Sequence, residues 1–522
     1  MNPFLMTDAY KISHPPQYPP FTEYVYSNIT ARKSRMEGVN HVVVFGIRWF
    51  IQKYLIEEFN NNFFTRPRRV VLDELQEFFD GYFGPGAVDV SIYGELHDLG
   101  YLPLKIKALP EGSKVPTGVP FLTIVNTNPK FYWLTNFVET LSQTVLWNCI
   151  TSATIANRYR VMLDAYANET SSQPEFVQFQ GHNFSMRGMS SVESGITSDL
   201  GHLLSFVGSD TLPGNYMARK YYAAEGLVSC SVPAAEHAVM CAGGKDDERE
   251  TFRRLIQDVY PSGIISIVSD TWDLWEVLTK IAPSLKSEIE ARDGKVVFRP
   301  DSGDPVKIIC GYRTEKTERS VAEMRTRLQS ISGYIGLCAE AYECPDGFIT
   351  RDGIEVTENE ILGCVRLLDR EFGSTVNNKG FKELNPKVGL IYGDSITFER
   401  AKQICQNLKE LGFASTNIVF GIGSYTYQYN TRDTFSIACK ATWVQVNGVG
   451  RAIYKDPATG DGTKKSACGL LCVNRENGQY TVEQNVSPEG ENQGFLETVF
   501  HDGHRLCDQS LQDIRYWLAA QK

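Results

Sequence analysis

The sequence predicts an α/β fold built on a parallel sheet, and three runs carry that prediction. Gly263-Ile264-Ile265-Ser266-Ile267-Val268 leads into Ser269-Asp270, and Lys295-Val296-Val297-Phe298 leads into Arg299-Pro300-Asp301-Ser302-Gly303-Asp304. Val388-Gly389-Leu390-Ile391-Tyr392 leads into Gly393-Asp394-Ser395. Each is a short apolar run that ends abruptly in polar residues, as expected of a strand buried on both faces. A fourth run, Asn417-Ile418-Val419-Phe420, leads into Gly421-Ile422-Gly423-Ser424. Between the third and fourth, Ile404, Leu408 and Leu411 recur at helical spacing and Gly412 supplies a stop. Strands alternating with helices read as βα units. Polar residues at strand ends are where both barrels and doubly wound sheets build their sites, and the residues alone leave the choice between those two open.

Residues 1–150 hold β-like runs such as His41-Val42-Val43-Val44-Phe45 and Leu104-Lys105-Ile106-Lys107-Ala108. Turn signals follow at Pro110-Glu111-Gly112 and Pro116-Thr117-Gly118. Residues 151–440 carry the strand–helix texture and are expected to hold the chemistry. Within them, 306–358 reads as an insertion. It is charged at Arg313, Glu315, Lys316, Glu318 and Arg319, and turn-rich around Pro345-Asp346-Gly347 and Arg351-Asp352-Gly353. A surface excursion is expected there, helical near 319–330, decorating the molecule rather than covering its entrance. Residues 441–522 return to strand-like alternation and end in a helix from Gln509 to Ala520.

With 522 residues, 42% hydrophobic and 22% charged, the chain is of ordinary globular composition and too long for one small core. Its net charge of −10 argues against nucleic acid as the main partner, while a local Arg/Lys pocket could still take a small anion. The 12 cysteines include no Cys-x-x-Cys pair and read as reduced thiols rather than metal ligands. No run approaches the ~18–20 apolar residues of a membrane span, and the start lacks a basic region followed by an apolar stretch. A soluble cytoplasmic protein with no membrane partner is expected.

The strand ends offer three kinds of group. Gly393, Gly421 and Gly423 let backbone N–H groups approach a ligand. Asp270, Asp301, Asp304 and Asp394 can hold sugar hydroxyls or a hydrated Mg²⁺. Arg187, Arg299 and Arg432 can fork onto phosphate oxygens. Phosphate, ribose and magnesium together suggest a nucleotide-type substrate, although no Walker-type loop is present. His237, directly after Glu236, is a candidate nucleophile with a carboxylate neighbour.

The string Ser231-Val232-Pro233-Ala234-Ala235-Glu236-His237, with Arg299-Pro300-Asp301-Ser302-Gly303, resembles the nicotinamide phosphoribosyltransferase family. The resemblance runs through Thr7-Asp8-Ala9-Tyr10-Lys11, Gln17-Tyr18-Pro19-Pro20, Tyr132-Trp133-Leu134-Thr135-Asn136 and His182-Asn183-Phe184-Ser185-Met186-Arg187-Gly188. It continues through Gly208-Ser209-Asp210-Thr211, Gly393-Asp394, Thr431-Arg432-Asp433 and Tyr454-Lys455-Asp456.

The resemblance implies an irregular α/β barrel of the type II phosphoribosyltransferases, with an additional β-rich layer from the N- and C-terminal segments. It also implies a homodimer whose active sites are shared between subunits. Phe184 and the partner subunit's Tyr10 would then stack on nicotinamide, and Asp210 would accept from its amide N–H. That carboxylate would repel nicotinate. Arg187, Gly393, Asp394, Gly423 and Ser424 would cradle the ribose phosphate, with Arg299, Pro300 and Asp301 at the base and ribose. Arg32, Arg432, Lys440 and Lys455 would join Arg187, Arg299 and His237 around the diphosphate, with Mg²⁺ sharing its charge. His237, oriented by Glu236 and Asp270, would be phosphorylated by ATP as an auxiliary reaction. Ser424 stands where animal members usually carry a second glycine. The competing readings are a nicotinate-using enzyme of the same fold, a barrel glycosidase using Asp270 and Asp301, and a noncatalytic binding protein on the same scaffold.

Overall fold

The structure is a computed structural model that describes residues 1–330, 339–393, 395–455 and 467–521. Its centre is a six-stranded, wholly parallel sheet. The order is Gly208–Ser209, Gly181–Asn183, Ile418–Ile422, Val388–Tyr392, Asp293–Arg299 and Ser262–Val268. All three apolar runs that predicted the sheet are in it, and the Val388–Tyr392 strand is buried along its whole length.

The two edges of this sheet are joined. The extended stretch after residue 229 bridges Gly208 through Cys230 and Ser266 through Ala234, both in parallel sense. Cys230 N donates to Val207 O at 2.7 Å and Ala235 N donates to Ser266 O at 2.8 Å. The curve therefore closes into an irregular barrel, with a stave too short to count as a strand. A barrel leaves no free edge, and that satisfies backbone groups a doubly wound sheet would leave exposed.

The helix with apolar positions Ile404 and Leu408 spans Phe398–Glu410. It starts on Thr397, whose hydroxyl accepts from Arg400 N at 3.3 Å, and buries both side chains against the barrel. Leu411 sits just past its end, where Gly412 takes φ of +79°.

A second, seven-stranded antiparallel sheet combines both ends of the chain. Thr22–Ala31 lies between Ile437–Val446 and Pro120–Asn126, and Leu104–Ala108 and Glu497–His501 extend it. This is the additional β-rich layer. Asn447-Gly448 and Asp502-Gly503, at positive φ, turn two of its hairpins, and Asn477-Gly478 turns a separate two-stranded hairpin, Leu470–Glu476 with Gln479–Val486. The helix Glu139–Thr170 ties the two layers together. Its first half, through Ala153, packs into the core of the antiparallel layer, and Ile155 to Ala167 pack into that of the barrel.

Residues 331–338 of the stretch read as an insertion lie outside the described residues, and the described remainder has a small core of its own. Helix Val321–Ser330 packs Val321 and Met324 against Tyr342, Cys344 and Ile349 of a four-stranded sheet. Helix Pro305–Cys310, inside the range read as inserted, instead buries Val306, Ile309 and Cys310 in the barrel core. The C-terminal helix runs Leu511–Ala520. Among the described residues, no helix is long and apolar enough to cross a membrane.

Candidate active site

Parallel strands all point their carboxyl ends to one rim, and here that rim collects most of the residues singled out from the sequence. Phe184 and Arg187 follow Gly181–Asn183, Asp210 follows Gly208–Ser209, and Asp270 follows Ser262–Val268. Arg299 ends its strand, with Pro300 and Asp301 next. Gly393 follows Val388–Tyr392, and Gly423 and Ser424 follow Ile418–Ile422. Glu236 and His237 follow the closing stave. Asp394 lies outside the described residues.

Asp210 is clamped. His182 Nε2 lies 2.9 Å from its Oδ1, and the Ser231 hydroxyl donates to the same oxygen at 2.5 Å. Partial burial works to raise its carboxyl. The hydrogen bonds from His182 and Ser231 outweigh burial and hold it below the usual carboxylate range, so Asp210 is ionised at neutral pH. His182 and Ser231 both stand in the motifs quoted but are not among the residues that the sequence singles out. The strand period of two was the available signal, because it puts His182 and Phe184 on one face. Their rings lie 4.7 Å apart, centroid to centroid.

Phe184 takes its position because Gly421 has no side chain. A Cβ there would come within 2.7 Å of Phe184 Cδ2 and 2.8 Å of Tyr392 O. Gly421, rather than Gly423, is thus the glycine of close approach, since nothing lies within 4 Å of a Cβ on Gly423. Ser424 lies against Gly188, where a Cβ would fall 2.2 Å from its hydroxyl oxygen. The extra side chain at this loop is housed by a glycine across from it.

Arg299 reaches across the rim. Its Nη2 donates to Ala235 O at 2.6 Å, while its buried Nε has no hydrogen-bond partner among the described residues. Burial lowers its guanidinium below the usual value, against the opposing fields of Asp301, Asp210 and Asp270. Asp301 N donates to Asp270 Oδ2 at 2.9 Å, and a Cβ on Gly393 would meet Asp301 Oδ1 at 2.4 Å. The other oxygen of Asp270 is buried and faces His237 Nε2 at 3.5 Å, too long for a good hydrogen bond but within ion-pair reach. His237 is half exposed, at 46% of its side chain.

Glu236, expected to orient that ring, is exposed and makes no hydrogen bond or ion pair with it among the described residues. Glu236 caps the helix His237–Gly243 with extended backbone (φ −121°, ψ 169°), so adjacent side chains diverge. Asp270 is the carboxylate at His237.

The remaining candidates gather elsewhere. Arg32 N and Nε both approach Ser436 O, beside the turn Arg432–Thr434. Arg432 Nη1 contacts Gln143 Oε1 at 3.4 Å, and Gln143 in turn contacts Glu139, which pairs with Lys11 next to Tyr10. Lys440 lies on strand Ile437–Val446, opposite Asn28. Lys455 is exposed beyond strand Val449–Ala452. Tyr10 is exposed and rests edge-on against His14. Among the described residues, no hydrogen bond or ion pair links Tyr10, Arg32, Arg432 or Lys440 to the barrel rim.

A crystal structure of a nicotinate-nucleotide pyrophosphorylase from Pyrococcus furiosus has the same fold. Its TM-score is 0.54 at 13% identity, covering 99% of this chain and 94% of that one. The fold is that of the type II phosphoribosyltransferases. The nicotinate phosphoribosyltransferase family model matches residues 179–489, and the nicotinamide phosphoribosyltransferase N-terminal domain model matches 2–90. The chain is 48% identical to the nicotinamide phosphoribosyltransferase of Acinetobacter baylyi, covering 100% of this chain and 98% of that protein. It is 35% identical to that of Mycoplasma pneumoniae, over 89% of this chain and 94% of the relative. The chain belongs to the nicotinamide phosphoribosyltransferase family.

Proposed function

We propose that the protein is a cytoplasmic homodimeric enzyme that joins nicotinamide to the phosphoribosyl group of 5-phosphoribosyl 1-diphosphate. The products are nicotinamide mononucleotide and diphosphate. The observation that carries this reading is the ionised Asp210, clamped beside Phe184 at the barrel mouth. A carboxylate accepts from an amide N–H and repels a second carboxylate, so the pyridine it selects is the uncharged amide.

The chemistry follows from the rim. Phe184 offers a flat face for the ring, and such stacking contributes roughly 0.5–1.5 kcal/mol beyond area burial. The ring nitrogen attacks C1 of the ribose as the C1–O bond to diphosphate breaks, and the electron pair leaves with the diphosphate. Asp301 and Asp270 stand where they can stabilise the positive charge that builds on the ribose. Arg187 and Arg299 supply charge for phosphate from this subunit. Arg32, Arg432, Lys440 and Lys455 complete the diphosphate site, some of them with Tyr10 from the partner subunit; that no hydrogen bond or ion pair among the described residues links Tyr10, Arg32, Arg432 or Lys440 to the rim supports that arrangement.

Among the described residues, no three His, Cys, Asp or Glu are arranged to hold a metal. Among the described residues, one buried oxygen of Asp270 has no hydrogen-bond partner, and that acceptor fits a hydrated Mg²⁺ brought in with the diphosphate. When bound, Mg²⁺ would neutralise charge on the leaving diphosphate.

The half-exposed His237, faced by Asp270, fits a phosphoryl acceptor: the bond from the γ-phosphorus of ATP to its bridging oxygen breaks, a P–N bond forms and ADP leaves. This auxiliary step favours product formation.

A second reading is use of nicotinate, because the family model matching the greater part of the chain is described by that substrate. Incubation with phosphoribosyl diphosphate, Mg²⁺ and either pyridine, with and without ATP, decides between them. Mononucleotide from nicotinamide, increased by ATP, is expected. A preference for nicotinate would overturn the assignment.

A further inference from the structure

The turns that carry Phe184 and Asp210 are fastened from behind by a carboxyl with no role in the chemistry above. Asp199, on helix Val192–His202, is fully buried. Its Oδ1 accepts from Asn183 Nδ2 at 2.7 Å and from the Ser209 hydroxyl at 2.6 Å. Each of these partners holds one recognition residue. Asn183 Oδ1 accepts from Ser185 N at 2.9 Å, so Phe184 is bracketed between them. Ser209 Oγ accepts from Thr211 N at 3.0 Å, bracketing Asp210 in the same way. Asp210 N also donates to Asn183 O at 3.1 Å, which locks one turn to the other.

The placement is costly. Asp199 Oδ2 is buried without a hydrogen-bond partner among the described residues, and helix Leu212–Tyr222 presses so closely that a Cβ on Gly214 would fall 2.0 Å from it. A buried acceptor left unpaired opposes folding, so a residue serving only to fill this space would be apolar. Among the described residues, no cation pairs with the carboxyl. Burial pushes it up to about 7 against its hydrogen bonds, which leaves Asp210 as the carboxylate held ionised.

We propose that Asp199 is a positioning residue for pyridine recognition: one buried carboxyl sets the spacing between the stacking ring of Phe184 and the amide acceptor Asp210. This rests on the roles assigned to those two residues above.

The test compares Asp199→Asn, Asp199→Ala and Ser209→Ala with the parent, after the parent has been shown to make mononucleotide from nicotinamide. KM for each substrate, kcat, the nicotinamide-to-nicotinate preference and Tm are read together. Asp199→Ala is expected to raise KM for nicotinamide by about tenfold to a hundredfold, the loss of two hydrogen bonds. KM for phosphoribosyl diphosphate should rise several-fold less, because its contacts other than Arg187 lie on other strand ends. Asp199→Asn keeps the Oδ1 acceptor and should restore the parent KM.

Should Asp199→Ala fail to fold, Ser209→Ala, which removes the bond to Asp199 Oδ1 and the one accepted from Thr211 N but little volume, decides by the same split at roughly tenfold. A uniform rise in both KM values, or an unchanged KM for nicotinamide, overturns the proposal. An unaltered pyridine preference in Asp210→Asn would instead overturn the reading of Asp210 while leaving the Asp199 result interpretable.

Discussion

Asp210→Asn removes one charge from the pyridine pocket and leaves its shape nearly unchanged. The asparagine oxygen can still accept from His182 and Ser231, which hold the native Oδ1 at 2.9 and 2.5 Å. What changes is the field felt by a bound nicotinate, whose carboxylate would take the place of the amide. Two unit charges ~4 Å apart at an effective dielectric of ~20 repel by about 4 kcal/mol, which corresponds to roughly a thousandfold in affinity. The Asp210 side chain is 45% exposed, so solvent and salt screen the pair and the figure is an upper bound. The assay is kcat/KM for nicotinamide and for nicotinate, in parent and variant, at fixed ionic strength. The ratio should move towards nicotinate by one to three powers of ten, with less change at high salt. A ratio that does not move would remove Asp210 from amide recognition.

His237→Ala should leave slow transfer in place and abolish its stimulation by ATP; loss of all transfer would show that His237 serves the bond exchange itself. Mixing Tyr10→Ala subunits with Arg187→Ala subunits should recover part of the lost activity, because one composite site per mixed dimer would be intact. Failure to recover would count against shared sites. Gly421→Ala forces a Cβ against Phe184 and Tyr392 O, so a stability loss of ~1–3 kcal/mol and a weaker KM for nicotinamide are expected by denaturation and kinetics. His202 is buried neutral between the Tyr427 hydroxyl at 2.7 Å and Gly208 O at 2.9 Å, and burial lowers it to about 3. Below its ordinary 6.5 the unfolded chain takes up a proton that the folded one refuses, so this contribution is full above pH 6.5 and is lost as pH falls towards 3. Relative to His202→Gln, the parent should lose about 2 kcal/mol more between pH 6.5 and 5, measured by chemical denaturation.

Much of the site was legible because strand ends are local features. Arg299-Pro300-Asp301, Gly393 and Asp210 each sit directly after a strand, and strand direction alone brings them to a common rim. The clamp on Asp210 was harder to see. Ser231 lies 21 residues away in sequence and reaches Asp210 only because the stave Cys230–Ala235 closes the barrel. Adjacency misled at Glu236, which is next to His237 in the chain but turned from it, while Asp270 arrives from another strand.

From its order of residues alone, the chain determined the parallel strands, the helix Phe398–Glu410 and the chemical character of the rim. These depend on burial period and turn chemistry, which act over a few residues. Tertiary structure decided the closure into a barrel rather than an open sheet, the clamp of His182 and Ser231, and the fastening of two recognition turns to Asp199. Those contacts join segments whose separation along the chain carries no periodic signal, and they exist only once the packed sheet has bent far enough to bring its two edges together.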